Sequence, residues 1–203
     1  MDCVLLASSN PGKLREYRVL ASEGSSNAGV NFDLLQGFSD IPSFEESAPT
    51  FGENAAGKAL SYSRFAKLPV MAEDSGLAVT ALDGAPGVRS ARYAGPGASE
   101  SDRTAKLLEA LRGVPSGDRQ ARFVCVIALA QQGRPIGIFS DSVEGEILTA
   151  PRGRGGFGYD PVFFLPALGK TFAEITPEEK NVYSHRGRAF RRLLGFLRDN
   201  PML

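Results

Sequence analysis

Histidine and cysteine are scarce in this chain of 203 residues, which holds one histidine (His185) and two cysteines (Cys3 and Cys125). That supply excludes the common Cys/His zinc sites. The cysteines sit in separate apolar runs, beside Val4-Leu5-Leu6 and between Val124 and Val126-Ile127. They read as buried small hydrophobes of a reducing compartment, not as a disulfide framework. Net charge is missing too: 23 Lys and Arg balance 23 Asp and Glu. This argues against a dedicated nucleic-acid-binding domain with its basic excess, although a phosphate site needs only a few clustered cations. No apolar run approaches the roughly 20 residues of a membrane span. The first residues lack the basic and then apolar regions of a secretory signal. The expectation is a cytoplasmic protein that binds neither a membrane nor a nucleic-acid polymer.

What is present is ordinary in bulk and specific in pattern. Hydrophobic residues make up 42% and charged residues 23%, values typical of a globular protein with a real core. The length suits one large domain or two small lobes. An apolar run at residues 2–7 reads as a buried strand. Leu14, Tyr17 and Leu20 then recur at helical spacing. Residues 22–30, rich in Ser, Gly and Asn, read as a loop, and 31–36 as a short strand. Thr50 with Glu53 marks a capping box for a helix through residue 67. Residues 70–72 read as a strand leading to an acidic turn at Glu73-Asp74-Ser75-Gly76, with Leu77-Ala78-Val79 continuing beyond. A capped helix over 99–111 and long strands over 121–130 and 136–147 follow, the last patterned as an edge or half-exposed strand. A short strand starts at Pro161. Thr176-Pro177-Glu178-Glu179 is a helix start with cap, proline and acids in place, and residues 184–199 form a basic amphipathic helix. Strands and helices mix throughout, so the class is α/β or α+β.

Polar clusters fall at the expected element ends, where sites in such proteins gather. Ser8, Ser9, Asn10, Pro11, Gly12 and Lys13 open a helix; they suit an anion seat or a plain N-cap by Ser9 or Asn10. Glu73-Asp74, with Glu46 as a further oxygen donor, suits Mg²⁺ or a solvated acidic turn. Gly155-Gly156-Phe157-Gly158-Tyr159-Asp160-Pro161 can present an aromatic face to a nucleobase or form a tight turn with both rings in the core. His185-Arg186 opens another helix with two donors, and Lys58 lies on the helix after Thr50. Tyr62, Phe65 and Cys125 read as packing residues.

Taken together, these segments resemble the inosine/xanthosine triphosphate pyrophosphatases. The resemblance rests on residues 8–13, on Glu46 with Thr50-Phe51-Gly52-Glu53-Asn54-Ala55 and Lys58, and on Glu73-Asp74-Ser75-Gly76-Leu77. It continues through Gly84-Ala85-Pro86-Gly87 with Ser90-Ala91-Arg92-Tyr93, residues 155–161, and Ser184-His185-Arg186-Gly187. It spans nearly the whole chain as one domain, residues 1–203. It implies an α/β fold with an elongated mixed sheet and flanking helices forming two lobes around a central cleft. It also implies a homodimer, Mg²⁺, and cleavage of ITP, dITP or XTP to the monophosphate and pyrophosphate. Asp74 is then the proton acceptor and, with Glu46, a metal ligand. The triphosphate falls to Ser8, Ser9, Asn10, Pro11, Gly12, Lys13, Lys58 and Ser75. Phe157 stacks on the base within the loop that includes Gly158 and Tyr159, and Asp160, Lys180, His185 and Arg186 contact the base or sugar end. Two departures stand out: Ser9 replaces a glycine common in the first loop, and Glu73 replaces an Asp common in bacterial members. The rival readings are a Maf-like pyrophosphatase for modified pyrimidine nucleotides, and a nucleotide sensor without turnover.

Overall fold

A computed structural model describes residues 3–28 and 30–200. Their strands form one mixed seven-stranded sheet in the order β2-β1-β3-β4-β5-β6-β7. The strands are β1 (Cys3–Ala7), β2 (Asn31–Leu34), β3 (Val70–Val79), β4 (Gln120–Gln131), β5 (Arg134–Ile147), β6 (Phe163–Leu165) and β7 (Lys170–Thr171). The helices are α1 (Pro11–Ala28), α2 (Phe51–Tyr62), α3 (Glu100–Ala110), α4 (Pro177–Tyr183) and α5 (His185–Asp199). By its contacts the chain divides into two compact units. One holds the residues up to Asp74, Cys125–Asp141 and the residues from His185 on; the other holds Ser75–Val124 and Ser142–Ser184. Three strands, β3, β4 and β5, contribute residues to both.

The first unit is built on parallel pairing. β1 runs parallel to β2 (Leu5 opposite Asp33) and to β3 (Leu6 opposite Met71), so α1 and α2 serve as crossover helices. Its core joins Val4, Leu6 and Met71 of the strands to Tyr17 and Leu20 of α1 and to Phe190, Leu193 and Leu197 of α5. Cys125 is fully buried there, and burial pushes its thiol well above the ordinary range; it packs as an inert apolar group. The second unit has antiparallel pairs β5-β6 and β6-β7. Its core gathers Leu77, Leu107, Leu111, Phe123, Phe163 and Phe172.

Local chemistry explains most element ends. Ser99 and Asp102 form a full capping box on α3, and Thr176 and Glu179 another on α4, which carries Pro177 at its first position. At α2, Thr50 Oγ1 accepts from the Glu53 N–H (3.2 Å), but the Glu53 carboxylate takes the Thr50 hydroxyl instead of closing the box on its backbone. Gln132 and Gly133 (φ 49° and 77°) make the two-residue turn between β4 and β5.

Several expectations are corrected. Residues 22–28 continue α1 instead of forming a loop; Ser and Asn cost a helix only tenths of a kcal/mol each and Gly24 about 1 kcal/mol, and Gly29 lies outside the described residues. α2 stops at Tyr62 in favour of a 3-10 turn, Ser63–Phe65. That turn takes Phe65 off the inward stripe and leaves it 56% exposed. β5 is half-exposed but lies between β4 and β6, not at an edge. The largest correction is at residues 73–76, where the chain does not turn: β3 runs unbroken through both acids, which are buried. The acids read as a strand break because a charge inside a sheet is costly without partners, and the partners lie elsewhere in the sequence.

Candidate active site

Adjacent strand residues project to opposite faces of a sheet, and Glu73 and Asp74 use this. The Glu73 side chain meets α1 and α5. Its Oε2 accepts from Tyr17 Oη (2.6 Å) and Arg186 Nε (2.8 Å), and its Oε1 from Arg186 Nη2 (2.7 Å), with Lys13 Nζ at 3.2 Å. Arg186, 2% exposed, also pairs with the buried Glu16. Burial and the Glu73 carboxylate push the Tyr17 phenol well above its usual range, so it stays a donor at any working pH. Glu73 is thus the fixed point that holds Lys13, Tyr17 and Arg186 together.

Asp74 faces α2. Its Oδ2 accepts from Asn54 Nδ2 (3.2 Å), and its Oδ1 lies 3.5 Å from Lys58 Nζ. Lys58 does not behave as an exposed helix lysine. It is buried, and its ammonium also binds Glu46 Oε1 (2.5 Å) and the Glu73 carbonyl (2.6 Å). Burial raises the Asp74 carboxyl above the usual range; Lys58 opposes this and Glu46 reinforces it. Glu46 comes from an irregular loop pinned beside α2. The ring of Phe44 lies so close to Gly57 that a Cβ there would stand 2.3 Å from it, and the Phe44 N–H donates to Tyr62 Oη (3.0 Å).

The start of α1 is a cap. Asn10 Oδ1 accepts from the Gly12 and Lys13 N–H groups (2.9 and 3.1 Å), and Ser8 Oγ accepts from the Asn10 N–H (3.3 Å). Ser9 and Pro11 are exposed beside it. Lys13 extends from this cap toward Glu73 and is only partly buried. In this unit, therefore, Lys13, Glu46, Lys58 and Asp74 converge on linked partners. Arg186 is committed to carboxylates. His185, buried, is the first residue of α5.

The second unit holds the glycine loop. Asp160, 2% exposed, accepts from the Phe157 N–H (2.7 Å) and pairs with the buried Lys180. The Lys180 ammonium lies 4.7 Å from the Phe157 ring centroid and 5.3 Å from that of Phe172, within cation–π range. The two readings of this loop divide between its rings. Tyr159 belongs to the core and donates to the Ser90 carbonyl (2.9 Å), whereas Phe157 is only half-buried. Asp160, assigned by the resemblance to the base, here clamps the loop. Gly158 is half-buried, and the Thr104 hydroxyl donates to its carbonyl (3.4 Å). Ser75, half-buried, follows Asp74 in β3.

Gly156 (φ 71°) has no room for a side chain: a Cβ would stand 2.1 Å from Asp160 Oδ2. Gly156→Ala is expected to cost about 1–3 kcal/mol at this left-handed position and to release the Asp160 clamp on Phe157. Thermal melting measures the first effect and fluorescence titration with a purine nucleotide the second. A variant that melts and binds like the parent would show that the clamp matters to neither.

Among the described residues no three His, Cys, Asp or Glu side chains group as a metal site. Mg²⁺ characteristically takes one or two carboxylates and completes its octahedron with water and substrate phosphate oxygens. Glu46 and Asp74, two hard oxygen donors already drawn to one cationic group, fit that demand. Glu16 and Tyr17 belong to the arrangement but carry no motif in the sequence, whereas Glu73 and Asn54 lie inside quoted motifs that gave them no role of their own.

The site thus consists of an open mixed α/β sheet with the buried Asp74 and the half-buried Glu46 drawn to one lysine, Lys58. The chain belongs to the Ham1 family, whose model matches residues 4–196. It is 50% identical over 193 residues to a dITP/XTP pyrophosphatase of Geobacillus kaustophilus, covering 95% of this chain and 93% of that one. It is 45% identical over 202 residues to the Escherichia coli dITP/XTP pyrophosphatase, covering 98% and 100%. The structure of a HAM1 protein from Coxiella burnetii superposes with a TM-score of 0.86 at 42% identity, covering 98% of this chain and all of that one. Among the described residues no helix is long and apolar enough to cross a membrane.

Proposed function

We propose that this protein hydrolyses purine nucleoside triphosphates bearing unusual bases (ITP, dITP and XTP) to the monophosphate and pyrophosphate, with Mg²⁺ held by Glu46 and Asp74. The observation that carries the proposal is the buried Asp74 carboxylate, set between Asn54 and Lys58 with Glu46 on the same ammonium. The names of the relatives support the substrate class.

Bound there, the cation supplies charge neutralisation at the phosphate oxygens. Lys58 and Lys13 add positive charge for the triphosphate and the pyrophosphate leaving group. Water attacks the α-phosphorus, the bond to the bridging oxygen breaks, and pyrophosphate leaves with the electron pair. Asp74 accepts the proton lost by the water. Without the cation, burial raises its carboxyl above the usual range, and bound Mg²⁺ would draw it down again. By the resemblance, Phe157 stacks on the base and His185 or Arg186 donates to a 6-oxo group, although Arg186 already pairs with Glu16 and Glu73. Facing the 6-amino group of adenine, such a donor would be left unpaired, at roughly 1–3 kcal/mol.

The family resemblance also supports a homodimer acting in the cytoplasm, as one domain of two lobes; sedimentation at micromolar concentration tests the dimer. A nucleotide panel with Mg²⁺ tests the substrate. ITP and XTP are expected to be cleaved faster than ATP, dTTP and dUTP. Faster cleavage of dTTP or dUTP would favour the pyrimidine-directed reading, and tight binding without turnover the sensor. In isotopically labelled water the label is expected in the monophosphate. Label in pyrophosphate, or release of orthophosphate, would exclude attack at the α-phosphorus.

A further inference from the structure

Asn54 lies in the first turn of α2 with no exposed surface. Its amide makes three side-chain bonds. Oδ1 accepts from the Ala48 N–H (3.1 Å), Nδ2 donates to the Ala48 carbonyl (3.2 Å), and Nδ2 also donates to Asp74 Oδ2 (3.2 Å). The first two bonds hold one loop residue, Ala48, by both its N–H and its carbonyl, two residues beyond Glu46. The third fixes the carboxylate of Asp74 so that Oδ2 faces Asn54 while Oδ1 faces Lys58. One side chain therefore ties an irregular loop to a strand, and the two things it ties each carry an acid. The Asn54 N–H is itself anchored on the Thr50 carbonyl (3.2 Å), so the brace is part of the capped helix start.

We infer that Asn54 is the positioning residue that sets the spacing of Glu46 and Asp74 and so tunes the affinity of the divalent cation they hold. The inference rests on the metal-binding reading above. The chemistry requires an amide at this position. A carboxylate lacks the donor for Asp74, a hydroxyl is too short to span the loop and the strand together, and an aliphatic group leaves the Ala48 N–H and carbonyl without their Asn54 partners. Apolar contacts such as Phe44 against Gly57 hold the loop near α2, but they do not fix the direction of the Glu46 carboxylate. Hydrogen-bonded partners of metal ligands typically govern about 10–100-fold in affinity.

The test is Mn²⁺ binding to the nucleotide-free, full-length protein, read by electron paramagnetic resonance and independent of turnover. Asn54→Ala is expected to weaken binding at least about tenfold. It should also lower kcat at subsaturating metal more than it raises KM for the nucleotide. Ser63→Ala is the stability control. Ser63 is fully buried at the other end of α2 and bonds only backbone groups in the described contacts, accepting from Gly133 N–H (3.0 Å) and donating to the Leu60 carbonyl (3.3 Å). It should destabilise the protein without changing Mn²⁺ affinity. Should Asn54→Ala fail to fold, Asn54→Ser carries the same test, because its hydroxyl cannot reach both partners. Wild-type Mn²⁺ affinity in the Asn54 variants, or an equal loss in Ser63→Ala, overturns the inference while leaving the site standing. Binding unaffected by Glu46→Gln and Asp74→Asn refutes the metal site, and the role of Asn54 with it.

Discussion

Asp74→Asn is expected to lower turnover by roughly 10²–10⁴-fold while leaving nucleotide affinity largely intact, because the phosphate-binding cations Lys13 and Lys58 are untouched. The same substitution is expected to raise the melting temperature at neutral pH. Burial lifts the Asp74 carboxyl above its unfolded value, so the native state favours the protonated acid. That contribution to stability is complete below the unfolded pKa and is lost as pH rises through the folded one. At neutral pH the wild type carries an ionised carboxylate in a poorly solvated place, and asparagine relieves it. The advantage of Asp74→Asn should shrink as the pH is lowered into the carboxylate range. Melting curves in chelator, across pH, measure this. Turnover equal to the parent would remove Asp74 from the chemistry, and a melting temperature lowered at neutral pH would contradict the desolvation argument.

The second large effect is expected at Arg186. It has 2% exposure and joins Glu73 by two nearly parallel bonds and Glu16 by a third contact. Truncation to alanine leaves two buried carboxylates, Glu16 and Glu73, without their shared counter-charge. Breaking a buried ion pair from one side costs about 3–5 kcal/mol, which for a chain of this size is a fall of roughly 10 °C in melting temperature. The double variant Arg186→Met with Glu73→Gln should lose clearly less than the sum of the two single changes, because the desolvation penalty is removed with the charge. Calorimetry of the four proteins closes the cycle. An Arg186→Ala variant melting within a degree or two of the parent, or strictly additive losses, would show that the network adds little. If Arg186 instead acts on the nucleotide, its truncation raises KM without the stability loss, and the same protein preparations decide between the two.

The helix starts and strand runs were legible because they depend on neighbours in sequence. Ser99 with Asp102, and Thr176 with Pro177 and Glu179, satisfy backbone donors within one turn. The alternation in 120–124 and the apolar stripe of α5 likewise express local periodicity. The candidate acids and lysines could also be named from the chain, as residue types clustered in motifs that resemble one family. Their partners could not. Glu73 and Arg186 are 113 residues apart, Arg186 and Glu16 are 170 apart, and Asn54 reaches Asp74 across 20. A charge looks like a strand breaker when only its neighbours are considered, and becomes a strand residue once a distant guanidinium compensates it.

The sequence by itself determined the α/β character, the helix caps, the inventory of acids and lysines, and the family likeness. Tertiary structure alone decided that β3 continues through Glu73 and Asp74, that the two acids take opposite faces, that Lys58 is buried, and that Tyr159 packs while Phe157 stays half-exposed. The physical reason is the reach of the forces involved. Backbone capping and hydrophobic periodicity act over a few residues, whereas the cost of burying a charge is settled only by whatever the fold places beside it.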